Sequence, residues 1–138
     1  MAVFIYTNSK VTLNGTANDV SSSVKQITLD IDVDEQETTN FGSLGYKEFR
    51  GGLKAGKVTI DFIDDVASGG IDSAIYALLG STAAFTIKPG GTAANGTSNP
   101  EYQGTVLVSK TSTGGAVGDL ATKSVTWPTT GTITRATA

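Results

Sequence analysis

The sequence predicts a mainly β domain with one short helix, and three observations predict it. Two segments, residues 26–34 and 57–65, alternate apolar and polar side chains with period two, the repeat of a strand with one buried face. Threonine is frequent and 17 glycines punctuate the chain, a composition of strands joined by turns. A single segment, SGGIDSAIYALLGS, spaces its apolar residues for a helix. A length of 138 residues suits one domain, 1–138, around one core.

Near the start, VTLNGT reads as a short strand running into an Asn14-Gly15 turn, and ANDVSSSV as a polar connection. In the first long strand Ile27, Leu29, Ile31 and Val33 alternate with Thr28, Asp30, Asp32 and Asp34. One face is therefore apolar and the other carries carboxylates. Residues 37–56 then read as a long loop that carries Phe41, Leu44, Tyr46, Phe49 and Leu53. That much apolar surface argues against disorder. The loop folds onto its own domain or docks on a neighbouring subunit.

In KVTIDFIDD, Val58, Ile60 and Phe62 face one way, with Thr59 and Asp61 opposite. The helix is expected at about 70–79, with Ile71, Ile75, Leu78 and Leu79 on one stripe, Ser68 or Asp72 supporting its start and Gly80 stopping it. AAFTIKP is a strand ended by Pro89, and GGTAANGTSNP is a loop. EYQGTVLVSK is a strand with Tyr102, Val106 and Val108 on one face. After a glycine-bearing connection, KSVTWP and GTITRA are expected to form a closing hairpin, with Val125 and Trp127 inward.

The chemistry is bounded mainly by what the sequence lacks. Without cysteine there is no disulfide and no thiolate metal site. Without histidine there is no Ser-His-Asp triad and no imidazole ligand. An EF-hand loop begun at Asp30 puts Glu35 where glycine is needed and Phe41 where the bidentate glutamate is needed, so it fails. Sequence alone leaves open a carboxylate pair, Asp30 or Asp32 facing Asp61, but a single Trp and no evident substrate platform weigh against an enzyme. KPGGTAANGTS lacks the spacing of a phosphate loop. A net charge of −3 disfavours tight nucleic-acid binding. The N-terminus MAVFIYTNSK does not read as an export signal, and no apolar run is long enough to span a membrane. We therefore expect no enzyme activity, catalytic residue, cofactor or metal.

The basic residues Lys47, Arg50, Lys54 and Lys57 follow closely on the acidic run Asp30 to Glu37. They form either a solvated surface or one half of a charge-complementary, head-to-tail contact between copies.

The order of these pieces, above all ETTNFG…GLKAGKVTIDF and GDLATKSVTWPTTGTITR, resembles the major tail tube protein of siphovirus-type bacteriophages, whose tails are long and non-contractile. The likeness covers nearly the whole chain, with no appended immunoglobulin-like domain. It implies a β-sandwich, barrel-like in the assembly, flanked by one helix. Copies form hexameric rings that stack into a hollow tube, and a long loop reaches the adjoining ring. The lumen holds the tape-measure protein and later conducts genomic DNA without binding it specifically. Terminator and tail-tip proteins close the ends. The expected location is the virion tail, assembled in the host cytoplasm, with no membrane anchor. On this resemblance Thr28, Asp30, Asp32, Thr59 and Asp61 line the lumen. Glu37, Phe41, Leu44, Tyr46, Lys47, Phe49, Arg50, Leu53 and Lys54 form the inter-ring contact. The apolar faces, Ile27, Leu29, Ile31, Val58, Ile60 and Phe62, cover the core. A tail terminator or head–tail joining protein that stops at one ring is an alternative, as is a capsid decoration or surface-binding module.

Overall fold

A computed structural model describes residues 9–15, 19–66, 68, 70–91, 95–96 and 99–137. The N-terminal residues 1–8 and most of the loop 92–98, read above for an export signal and a phosphate loop, lie outside the described residues. The described strands are β1 (Lys10–Leu13), β2 (Val24–Glu37), β3 (Phe49–Ile63), β4 (Thr82–Lys88), β5 (Glu101–Leu107), β6 (Thr122–Pro128) and β7 (Thr134–Ala136). The helix α1 is Ile71–Leu78.

Two antiparallel sheets face each other. One has strand order β1-β4-β5-β7 and the other β2-β3-β6. Alternation explains their inner faces. Val58, Ile60 and Phe62 of β3 and Val125 and Trp127 of β6 are buried against Phe85 and Ile87 of β4 and Val106 of β5, with Val108 just beyond that strand. The Trp127 ring is held at both ends. It lies against Phe62, centroids 6.3 Å apart, and its indole N–H donates to the Lys110 carbonyl at 2.9 Å. Ile71 and Ile75 of α1 complete this core, while Leu78 is half-buried and Leu79, just past the helix, is largely exposed.

Several sequence expectations need correction. The segment 37–56 is not one loop: β3 begins at Phe49, so 49–56 is strand and only 38–48 connects. Gly51, Gly52 and Gly56 suggested a loop, but long-range pairing with β2 overrides that local signal. KSVTWP and GTITRA are not a hairpin. β6 pairs with β3 and β7 pairs with β5, in opposite sheets. The chain changes sheets just after Pro128, where Thr129 N–H donates to the Gly56 carbonyl at 2.9 Å and Thr130 N–H to the Thr105 carbonyl at 2.8 Å. Gly70 occupies the cap position of α1 and offers no side-chain cap; of the two residues expected to support the helix start, Asp72 lies in the first turn, where a carboxylate favours a helix N-terminus. Finally, Ile31 does not cover the core. It is 48% exposed, because β2 and β3 run on past the opposing sheet.

Gly56 has a role the sequence reading missed. A Cβ there would lie 2.7 Å from Ile133 Cδ1 and 2.9 Å from Thr129 Oγ1, so its bareness lets the C-terminal segment pack against β3.

Candidate assembly surfaces

The outer face of the β2-β3-β6 sheet is polar from edge to edge. Register sets Gln26 beside Asp61 and Asp61 beside Ser124, then Thr28 beside Thr59 and Thr59 beside Thr126. Asp30 lies opposite Lys57, and Asp32 opposite Ala55. The residues expected to line a lumen, Thr28, Asp30, Asp32, Thr59 and Asp61, thus share one face. Thr59 and Thr126 are joined by a hydroxyl–hydroxyl hydrogen bond of 3.2 Å. Sequence reasoning missed Lys57, Gln26, Ser124 and Thr126. The signal was present: Lys57 is in phase with Thr59 and Asp61, and Ser124 and Thr126 are out of phase with Val125 and Trp127. Among the described residues, no group of three or more His, Cys, Asp or Glu side chains is placed to hold a metal ion. The carboxylates lie along strands, about 7 Å apart for each two residues.

Beyond Lys57 the sheet narrows to β2 and β3 alone, since β6 pairs only with the Lys57–Ile63 half of β3. This two-stranded arm projects for about 25 Å, the length of eight strand residues. It is bulged where Gly52 and Leu53 oppose Asp34, between the pairs Val33–Lys54 and Glu35–Gly51. Such a bulge bends the ribbon and strengthens its twist.

The tip is ordered by its own hydrogen bonds. Asn40 Oδ1 accepts from Gly42 N–H at 2.9 Å, and Asn40 N–H donates to Ser43 Oγ at 3.2 Å. Thr38 N–H donates to the Glu48 carbonyl at 2.8 Å, and Glu48 N–H to Thr39 Oγ1 at 2.9 Å. Leu44 and Gly45 turn the chain with φ of 52° and 85°.

This scaffold holds apolar side chains out in solvent. Phe41 is fully exposed, Leu44 84%, Tyr46 77% and Leu53 80%. Glu37, Lys47, Phe49, Arg50 and Lys54 are exposed as well, so all nine residues expected at an inter-ring contact sit on one arm. In the β2-β3-β6 sheet both edges are left open among the described residues: the outer edge of β2, and the outer edge of β6 over most of its length, each strand pairing with β3 on one side only.

No protein-family model matches the sequence, and no curated protein matches it. The fold does have solved counterparts. A chain in the virion of a native gene transfer agent particle superposes with a TM-score of 0.69 at 11% identity, covering 91% of this chain and 95% of that one. A chain in the tail of the empty gene transfer agent particle, refined helically with C6 symmetry, superposes with a TM-score of 0.69 at 14% identity, covering 92% of each. At these identities the likeness is one of fold, and it extends over almost the full length of both chains.

Proposed function

We propose that this chain is the structural subunit of a viral-type tail tube, with no catalytic role. Copies form hexameric rings, the rings stack, and the bore passes DNA during ejection. The observation that carries the reading is the full-length fold likeness to a chain of a helical, C6-symmetric tail. The open edges of β2 and β6 support it. Pairing the β2 edge of one copy with the β6 edge of the next closes six sheets into one barrel and removes edges that would otherwise invite aggregation. Lining that bore, Thr28, Asp30, Asp32, Thr59 and Asp61 offer a net-negative wall that does not neutralise phosphates, so DNA keeps its counterions and slides. The arm supports stacking rather than a lone ring, since its exposed apolar tip needs a surface outside its own ring. Tape-measure protein in the lumen, terminator and tip proteins at the ends, and a place in the virion tail follow from the same reading.

Negative-stain microscopy of the purified protein tests it. Tubes with six-fold rings are expected. Particles that stop at one ring would favour the terminator reading, and a protein monomeric at every concentration tried would overturn the tube.

A further inference from the structure

The two open edges of the β2-β3-β6 sheet carry a definite pattern of free backbone groups. Thr129 N–H donates to the Gly56 carbonyl at 2.9 Å, and Asp64 N–H to the Ala121 carbonyl at 2.9 Å. Both bonds fall in the β3–β6 register, in which Lys57 faces Pro128 and Ile63 faces Thr122. Along an antiparallel ladder, hydrogen-bonded pairs alternate with pairs that exchange no bond. Lys123, Val125 and Trp127 therefore bond to β3, while Thr122, Ser124 and Thr126 turn N–H and C=O outward. Pro128 falls in the outward phase too, so its missing N–H takes no bond from the internal ladder. The same alternation, carried across β3, points Gln26, Thr28 and Asp30 at β3. It leaves N–H and C=O of Ile27, Leu29 and Ile31 free at the β2 edge.

Direction follows from the strand order. β2 and β6 both run antiparallel to β3, so they run parallel to each other. Rotation about a tube axis keeps the axial sense of every strand, so β6 of one copy meets β2 of the next in parallel. Phase gives the same answer independently. Across a parallel seam, a residue that bonds through the seam lies level with one whose groups point the other way. Thr126 then lies beside an even-numbered residue of β2, whose side chain is on the same polar face. Across an antiparallel seam, bonding residues lie directly opposite. Thr126 would then meet Ile27, Leu29 or Ile31, which would turn the neighbour's apolar face into the bore.

We propose that the β6 edge at Thr122, Ser124 and Thr126 pairs in parallel with the β2 edge at Ile27, Leu29 and Ile31 of a second copy of this chain. The proposal rests on the ring reading above and gives its seam a direction and a phase. The polar face then continues from copy to copy without a break. Pro128, with no N–H to give, ends the row of donors.

The chain has no native cysteine, so disulfides read the seam directly. Thr126→Cys is combined in turn with Gln26→Cys, Thr28→Cys and Asp30→Cys, and each protein is assembled and oxidised. Within one copy these positions flank β3 and stand at least about 9.5 Å apart, too far for a disulfide. One of the three pairs is expected to give covalent oligomers up to a hexamer under denaturing conditions, and Thr126→Cys alone none. Thr126→Pro removes only an outward N–H, so it is expected to melt as cooperatively as wild type while forming no rings. Wild-type tubes with no disulfide from any pair, together with rings from Thr126→Pro, would overturn the seam and leave the tube standing. A disulfide dimer from Thr126→Cys alone would mean that two β6 edges meet about a two-fold axis, and would overturn the seam outright. Wild-type protein that never associates would overturn both readings.

Discussion

Lys123 is a charged residue at a position whose strand phase is apolar. It shares its face with Val125 and Trp127, and its side chain is completely buried. Its ammonium donates to Asp72 Oδ1 at 2.7 Å and lies 3.6 Å from Asp64 Oδ1. It thereby ties the first turn of α1 to the end of β3. Asp64 Oδ1 is buried without a hydrogen bond among the described residues and relies on that nearby charge. Removing the ammonium leaves a buried carboxylate uncompensated. Lys123→Met is therefore expected to cost about 3 kcal/mol, seen as a fall in melting temperature of roughly 10 °C. Adding Asp64→Asn is expected to recover much of that loss. Equal melting of wild type and Lys123→Met would show that the cluster contributes nothing. Asp19 offers a pH-dependent contrast. Hydrogen bonds from the Ser21 hydroxyl at 2.5 Å and the Ser21 amide at 2.9 Å, and more weakly the charge of Lys10, hold its pKa below the ordinary carboxylate value. A depressed folded pKa gives stability that is present above the unfolded pKa and lost as pH falls through the folded one. Wild type is thus expected to melt slightly higher than Asp19→Asn at neutral pH, with the gap closing below about pH 4. A gap constant across acid pH would rule out this linkage.

The elements show where local pattern sufficed and where it did not. Val58, Ile60, Phe62, Val125 and Trp127 point inward as alternation requires, and α1 falls within a residue of the helical stripe. The polar face was legible for the same reason. The arm was half legible. Its apolar residues signalled a surface needing cover, but the glycines of β3 concealed a strand that only its partner β2 specifies. The closing hairpin misled because sequence adjacency carries no information about which sheet a strand joins. Ile133 over Gly56 and the step at Thr129 and Thr130 decide that, and both are long-range. The exposure of Ile31 and Val33 had no local signal either, since it depends on where the opposite sheet ends. The hairpin geometry gives a clean way to separate arm from body. Replacing residues 38–48 with Asn-Gly closes the Glu37–Phe49 pair through a two-residue turn. The melting temperature is expected to stay within roughly 2 °C, as for surface changes that touch no core. Sedimentation is expected to show rings that no longer stack. Normal tubes from this variant would remove the arm from the assembly.

At the scale of the whole molecule, the question is what a closed ring does with the charge on its inner wall. On the proposed bore face Asp30, Asp32 and Asp61 outnumber Lys57, which sits directly opposite Asp30. Cross-strand opposition softens Asp30 and leaves Asp32, facing Ala55, as the more exposed repellent charge. In the proposed tube, six-fold repetition and stacking would turn that residue into a line of carboxylates along the path of DNA. Asp32→Lys is therefore the cleaner perturbation. Asp30→Lys also sets two cations face to face and weakens the sheet by up to about 1 kcal/mol. Particles built with Asp32→Lys are expected to assemble normally, because the exposed side chain lies opposite Ala55 near the base of the arm, away from its apolar tip at 38–48. They should eject DNA several-fold more slowly at low salt, because lysines that neutralise phosphates bind the polymer they should release. Raising the salt should restore much of the rate, since the added attraction is screened over a Debye length of about 8 Å near physiological ionic strength. Adding Asp30→Lys should deepen the defect. Ejection that is unchanged in both variants at low salt, with tubes intact, would mean that this face looks away from the bore.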